Sequence, residues 1–368
     1  MLKKDRLESL DILRGFDMWL LLMFGPIVGA VLSVVPGLDF VRTQVSHVSW
    51  EGFVLWDIIM PLFMFMSGVT IPFSMARYKE GEKPGKKFRL KLLKRFVLLF
   101  VLGWIVQGNL LDLDPKVFHP FANTLQAIAV GYVFSALIFV FCTFRWQVVF
   151  TALPFVLYIA AFALTGMNLD HQGNIAMLVD KAVLGSHRDG VSWSGGAWSY
   201  SQWYEYTWIL SSLNFTVTVM LGCFTGQILK GGKSQWRKAG SVALMGAILL
   251  AASLLLSLYF PIIKKIWSSS MTLYAGGISC LLIALSYIIV DILKWRKGLG
   301  WLNYYGKNAI AAYFIGEVVN FSSASKSLLH GFEHILGGWY PVLIATANAF
   351  ILLGILKIMY KRNIFLKV

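Results

Sequence analysis

The stretch SHVSWEGFVLWDIIMPLFMFMSGV, residues 46–69, places His47, Trp50, Glu51 and Asp57 within eleven positions. Imidazole exchanges a proton near neutral pH, and a carboxylate that orients it raises its basicity, which suits removal of a proton from an incoming amine or hydroxyl. Asp57 is the unusual member. It sits in an apolar run, where an ionisable group costs roughly 3 kcal/mol or more near a helix centre and therefore marks a function or a buried partner. Ser49 is placed to cap a helix and Glu51 to sit in its first turn, which puts Asp57 about two turns deeper, roughly 12 Å along the axis. Pro61 has no N–H for the carbonyl of residue 57, and Gly25-Pro26 does the same to the carbonyl of Leu22. A polar site within the membrane is expected, beside two adjacent helices interrupted near one depth.

The other histidines compete poorly for a chemical role. His119, His171, His187, His330 and His334 fall in expected loops or at span ends, where a lone histidine is structural. His330 and His334 are four residues apart, a spacing that suits a metal, but no third ligand accompanies them and no metal centre is expected.

The elements that must hold these residues are transmembrane helices. The chain has 368 residues, 57% of them hydrophobic and 14% charged, which excludes an ordinary soluble protein. Its apolar stretches are about twenty residues long, the length of a membrane-crossing helix, whereas barrel strands would be about ten and alternating. Spans are expected at about 12–35, 53–77, 90–112, 121–142, 147–165, 207–229, 237–260, 271–293, 306–330 and 340–360. The fold class is thus an all-α polytopic membrane protein, about ten helices in one bundle and one domain over 1–368. Cys142, Cys223 and Cys280 lie in apolar runs, so a disulfide framework is not expected. After MLKKDR the charges at Asp11, Arg14 and Asp17 lead into an apolar run with no cleavage site, which reads as an uncleaved first helix.

With ten spans, 26 of the 33 basic residues fall on the side of the N-terminus, and only Arg42, Lys116, Lys181, Arg188, Lys264, Lys265 and Lys326 on the other. By the positive-inside rule both termini are expected to be cytoplasmic. The same asymmetry accounts for the net charge of +15 without nucleic acid: RYKEGEKPGKKFRLKLLKR faces anionic membrane lipid, with a phosphorylated cofactor as a secondary occupant. The long insertion at about 166–206 then lies outside the cytoplasm. Its tryptophans at 193, 198, 203 and 208 follow neither helical nor strand periodicity and read as interfacial anchors, with a sugar-stacking platform as the sharper alternative. Glu317 and Asn320, three residues apart in the ninth span, read as a pair satisfied within the bundle, or else as part of a cofactor tunnel.

Several segments resemble a known family: RLESLDILRGFDMWLLLM, the His47-to-Ser74 stretch, LQAIAVGY, MLGCFTGQILK, FPIIKKIWSSSMTLYAGG and YYGKNAIAAY. In that order they are similar to the transmembrane acyltransferase family of heparan-alpha-glucosaminide N-acetyltransferase and its bacterial relatives, from Arg6 to about Tyr313. The resemblance implies an integral, multi-pass protein of the bacterial inner membrane, with acetyl-CoA as acyl donor and an extracytoplasmic amino sugar or glycan as acceptor; the family also suggests a homodimer. It makes His47 the catalytic histidine and Asp57 the acidic position of the same motif. Trp50 and Glu51 belong to that motif on the acceptor side, and Lys264 and Trp267 match a K-x-x-W-x-x-S element there. Arg14 and Asn308 match elements implied to serve the cofactor.

Two positions depart from the pattern. Gly25 stands where the sugar acetyltransferase has an asparagine, and Leu125-Gln126-Ala127 where many relatives read L-Q-R. Two readings therefore stand beside acyl transfer: an amino-sugar permease, motivated by interrupted helices near a polar site, and a catalytically degenerate relative. His47 as general base and His47 as acyl-carrying nucleophile both remain open.

Overall fold

A computed structural model describes residues 7–366. It is a polytopic all-α membrane protein: eight helices among the described residues have the length and apolarity to cross a bilayer, from Glu8–Leu32 to the helical stretch Phe321–Lys361. Two of the ten expected spans fall outside that set. The helix Lys86–Val106 carries six basic residues in its first ten positions, which lowers its apolarity. The ninth expected span is interrupted: Ala309–Val318 stops after 10 residues and a second helix, Phe321–Leu329, follows. Asn320 makes the break by accepting from the Ser322 N–H at 3.1 Å, an N-cap that starts a new helix. Lys3, Lys4, Arg6 and Lys367, on which the reading of sidedness partly leans, lie outside the described residues.

The chain packs as two compact units. The first holds residues up to Val48, the short piece Val54–Ile59, and the chain from Leu282 onward. Its first span does not break at Gly25-Pro26 as expected. The helix Glu8–Trp19 passes through a π turn, Leu20–Phe24, into Gly25–Leu32, and the wider turn absorbs the missing proline N–H. Ile12, Val290 and Leu302 form an apolar core here, and Gly306 lies so close to the first helix that a Cβ would stand 1.7 Å from the Asp11 carbonyl oxygen.

The second unit holds Ser49–Phe53 and Met60–Leu281. The helix Ile59–Val69, from Met60 onward, meets Ser212–Lys230 with backbones in contact: a Cβ on Gly68 would lie 1.9 Å from Val219 O, and one on Gly222 2.0 Å from Phe65 O. Small residues permit that approach, and dispersion rather than the hydrophobic effect holds such helices together in lipid.

The 166–206 insertion is folded, not a plain loop. A helix, Ile175–Leu184, is capped by Asn174, and a β-hairpin pairs Val191–Ser194 with Ala197–Tyr200. Trp193 and Trp198 are direct cross-strand partners, so the spacing of five that fits no single strand is the spacing across a two-residue Gly195-Gly196 turn. Trp208 is buried and donates to the Tyr204 hydroxyl, whereas Trp203 is exposed. The four rings are thus not a common set of anchors. Asp180 holds the end of the insertion by accepting from the backbone of Trp208 and Ile209 at 2.8 and 2.9 Å. Burial pushes its carboxyl up to about 6 against the pull of those two bonds and of Arg188.

Candidate functional site: a histidine–carboxylate pair

In the first unit, His47 Nδ1 lies 2.7 Å from Asp57 Oδ1. The imidazole side chain is 43% exposed and the carboxylate is fully buried. The route by which ten intervening residues bring them together differs from the expected helix. Arg42 donates to Leu32 O at 2.8 Å, and the Leu55 N–H donates to Gln44 Oε1 at 3.2 Å. Residues 45–54 are irregular, and a 3₁₀ turn begins only at Leu55. Asp57 therefore stands in the first turn of its helix rather than two turns inside it. Its own carboxylate explains why: Oδ2 accepts from the Val54 N–H at 3.2 Å, which caps the turn and fixes the start. Ser49 and Glu51 fall before that start and neither caps it.

One carboxylate oxygen for the backbone and one for the ring leave Asp57 little freedom. With Asp57 ionised, the bond to His47 puts the imidazole proton on Nδ1 and the lone pair on Nε2, the tautomer a base or a nucleophile needs. Trp56 adds a second constraint. A Cβ on Gly25 would lie 2.0 Å from Trp56 Cη2, so the indole occupies the space that any side chain at 25 would require. Glycine at 25 and tryptophan at 56 therefore go together, and an asparagine at 25 has no room while the indole is in place. Gly25→Ala is expected to cost about 1–3 kcal/mol by overpacking and, by moving the turn that holds Asp57, to slow turnover. A double-mutant cycle with Trp56→Leu, read by thermal melting and turnover, checks this: the second change should recover most of the loss, and strict additivity would contradict the contact.

Two further candidates, Asn308 and Arg14, lie in this unit. Asn308 uses both ends of its amide on the C-terminal segment, donating to Ile364 O at 3.2 Å and accepting from the Leu366 N–H at 3.3 Å. Arg14 lies on the helix Glu8–Trp19, half-buried.

In the second unit, Glu51 bridges antiparallel to Ile263 and the Gly52 N–H donates to Ile262 O at 2.8 Å. Glu51 is thereby fixed beside the segment that carries Lys264 and Trp267. That segment is tied down throughout: Ser270 donates to Pro261 O at 2.7 Å, Ser211 to Ile266 O at 3.0 Å, and Asn214 to Trp267 O at 2.9 Å. Trp267 has a positive φ of 52° and is buried, its indole N–H donating to Thr218 Oγ1 at 3.1 Å and its ring edge-on to Phe215. Trp50 is buried in a cluster with Tyr158, Phe162 and Phe260 and stacks on His171 at 4.1 Å. Both tryptophans are buried and packed against neighbouring aromatic rings. Lys264 is buried on the same fixed loop.

A group the sequence did not single out lies beside Trp50. Glu205 accepts from both His171 and Lys265, clamping the insertion to the 261–270 loop. Burial would raise the Glu205 carboxyl, but the hydrogen bonds from Lys265 and His171 outweigh it and hold it below its ordinary range. No local pattern announces this clamp, because its members are separated by 34 and 60 residues. Of the remaining histidines, His119 lies 3.7 Å from Asp189, and His330 pairs with Glu333 at 3.5 Å. The Ala127 departure has a packing setting: Ala127 is fully buried, and Gln126 turns back to accept from the Ala122 and Asn123 N–H groups.

No family model matches the chain. It is 25% identical over 381 aligned positions to the heparan-alpha-glucosaminide N-acetyltransferase of Mus musculus, an alignment covering 88% of this chain and 56% of that protein. The chain thus spans about half the length of the curated relative it matches. It is a multi-pass α-helical membrane protein, similar through most of its length to heparan-alpha-glucosaminide N-acetyltransferase.

Proposed function

We propose that this protein is a membrane acyltransferase that moves an acetyl or other acyl group from an acyl-CoA to an amino sugar or glycan on the opposite side of the bilayer. The observation that carries the reading is the His47–Asp57 pair, a half-exposed imidazole held by a buried carboxylate, in a chain similar to an N-acetyltransferase. The excess of basic residues on one side supports cytoplasmic termini and a donor whose adenine and phosphates sit at that face.

Two routes use the same nitrogen. As a base, His47 Nε2 takes the proton of the acceptor amine while that nitrogen attacks the thioester carbon; the C–S bond breaks and the leaving thiolate recovers the proton. As a nucleophile, Nε2 attacks the carbon itself and the C–S bond breaks; the amine then attacks the acyl-imidazole, the C–Nε2 bond breaks, and the amine's proton passes through the freed Nε2 to the thiolate. In either route Asp57 stabilises the imidazole as it gains positive charge. Glu51 and Lys264, on paired segments, serve the acceptor side together with Trp50 and Trp267. Arg14 and Asn308 serve the donor side, Asn308 by anchoring the C-terminal segment.

The test is release of CoA thiol by purified protein supplied with radiolabelled acetyl-CoA and glucosamine. Thiol release matched by N-acetylated sugar is expected. Label held on the protein when the acceptor is omitted would select the covalent route. Solute uptake into proteoliposomes without acyl-CoA, and no thiol release, would instead make the protein a permease.

A further inference from the structure

A second polar site lies in the first unit, away from the histidine. A cavity of about 430 Å³ is lined by Leu22, Pro26, Glu317, Asn320, Asn348 and Leu352, among others. Two irregular helices meet at it. The first span contributes the π turn and Pro26, which has no N–H for the turn before it. The other contribution is the break after Val318. The helix Ala309–Val318 rises about 15 Å, too short to cross a hydrocarbon core of about 30 Å by itself.

The break falls in residues that line the cavity. The Phe321 N–H turns to Val319 O, and the Ser322 N–H to Asn320 Oδ1, so the carbonyls of Glu317 and Val318 lose their helical donors. They form the negative end of a helix dipole. Glu317 is exposed and has no hydrogen bond or ion pair among the described residues. Asn348 is already committed, donating to Ser322 Oγ at 2.9 Å and accepting from Ser325 Oγ at 2.6 Å, so it stiffens the wall. Among the described residues no lysine, arginine or histidine lines the space, and most of its other lining is apolar, with Ser322 beside the break. A carboxylate and freed carbonyls call for a cation, and the volume, within the range of small-molecule sites, far exceeds a bare ion.

We propose that this cavity binds a primary ammonium group carried on a small, partly apolar body, with Glu317 as its counter-ion. The ammonium could belong to a soluble amine or to a phosphatidylethanolamine headgroup. The proposal is independent of acyl transfer, and its test contains no acyl-CoA.

The full-length protein is melted at fixed pH and ionic strength in two formats. In detergent it is titrated with phenethylamine or with neutral 2-phenylethanol; in nanodiscs, phosphatidylethanolamine is compared with phosphatidylcholine. A saturable rise in Tm with the amine, or a higher Tm in the ethanolamine lipid, is expected, and which of the two appears identifies the source. The neutral alcohol and the choline lipid should give no such rise. Glu317→Gln should weaken the response about tenfold or more, because it removes the charge that balances the ammonium. Ala345→Phe, which fills the cavity from the last helix and keeps the carboxylate, should abolish it, and it decides the matter should Glu317→Gln fold poorly. No response to either ammonium, or an equal response in both variants, would overturn the proposal.

Discussion

Replacing His47 by alanine is expected to lower acyl transfer by roughly 10²–10⁴-fold, the usual contribution of a positioned base, or further if the ring carries the acyl group. The fold should survive, because the side chain is 43% exposed. Thiol release from acetyl-CoA measures the rate, and calorimetric titration of CoA measures donor binding. The first should collapse and the second stay within about twofold. A rate retained within tenfold would remove His47 from the chemistry.

Asp57→Asn should be nearly as damaging, for a reason written in the geometry. The carboxylate serves two partners at once, Oδ1 toward His47 Nδ1 and Oδ2 from the Val54 N–H. An amide offers one acceptor. If that oxygen keeps the Val54 N–H, its NH₂ must donate to Nδ1, which forces the imidazole proton onto Nε2 and removes the lone pair that does the work. A loss on the order of 10²–10⁴-fold follows from the wrong tautomer, with the helix start and the melting temperature preserved. Asp57→Ala should behave differently, losing the cap as well and about 1–2 kcal/mol of stability. Comparing kcat and Tm for the two variants separates the orienting role from the structural one; equal kcat for Asp57→Asn and the parent would contradict it.

The membrane helices were legible because hydropathy over twenty residues is a long signal. The local departures were less so, each for its own reason. A helix starting at Leu55 instead of near Phe53 depends on one carboxylate capturing the Val54 N–H, a choice that apolar periodicity does not report. The π turn at Leu20–Phe24 conserves hydrophobic length while changing hydrogen-bond partners, so Gly25-Pro26 reads as a break when it is a bulge. The break at Val319–Asn320 was readable in principle, since Asn320 is two residues before the N–H it caps, but a capping residue inside an apolar span is a weak mark. The hairpin was readable too: Gly-Gly between Trp193 and Trp198 is a two-residue turn signal that single-strand periodicity hides. His47 and Asp57 could be paired by chemistry alone. The part played by Trp56 could not, because its contact with Gly25 spans two elements and appears only as a space already filled.

Acyl transfer across the bilayer is most directly tested in sealed proteoliposomes with labelled acetyl-CoA outside and glucosamine inside, comparing the parent protein with His47→Ala and Asp57→Asn. Molecules inserted with their basic face outward are predicted to release one CoA thiol outside for each N-acetylglucosamine formed inside, and both variants to release almost none. Thiol release by the variants at the parental rate, or acetylation confined to amine on the donor's own side, would contradict it.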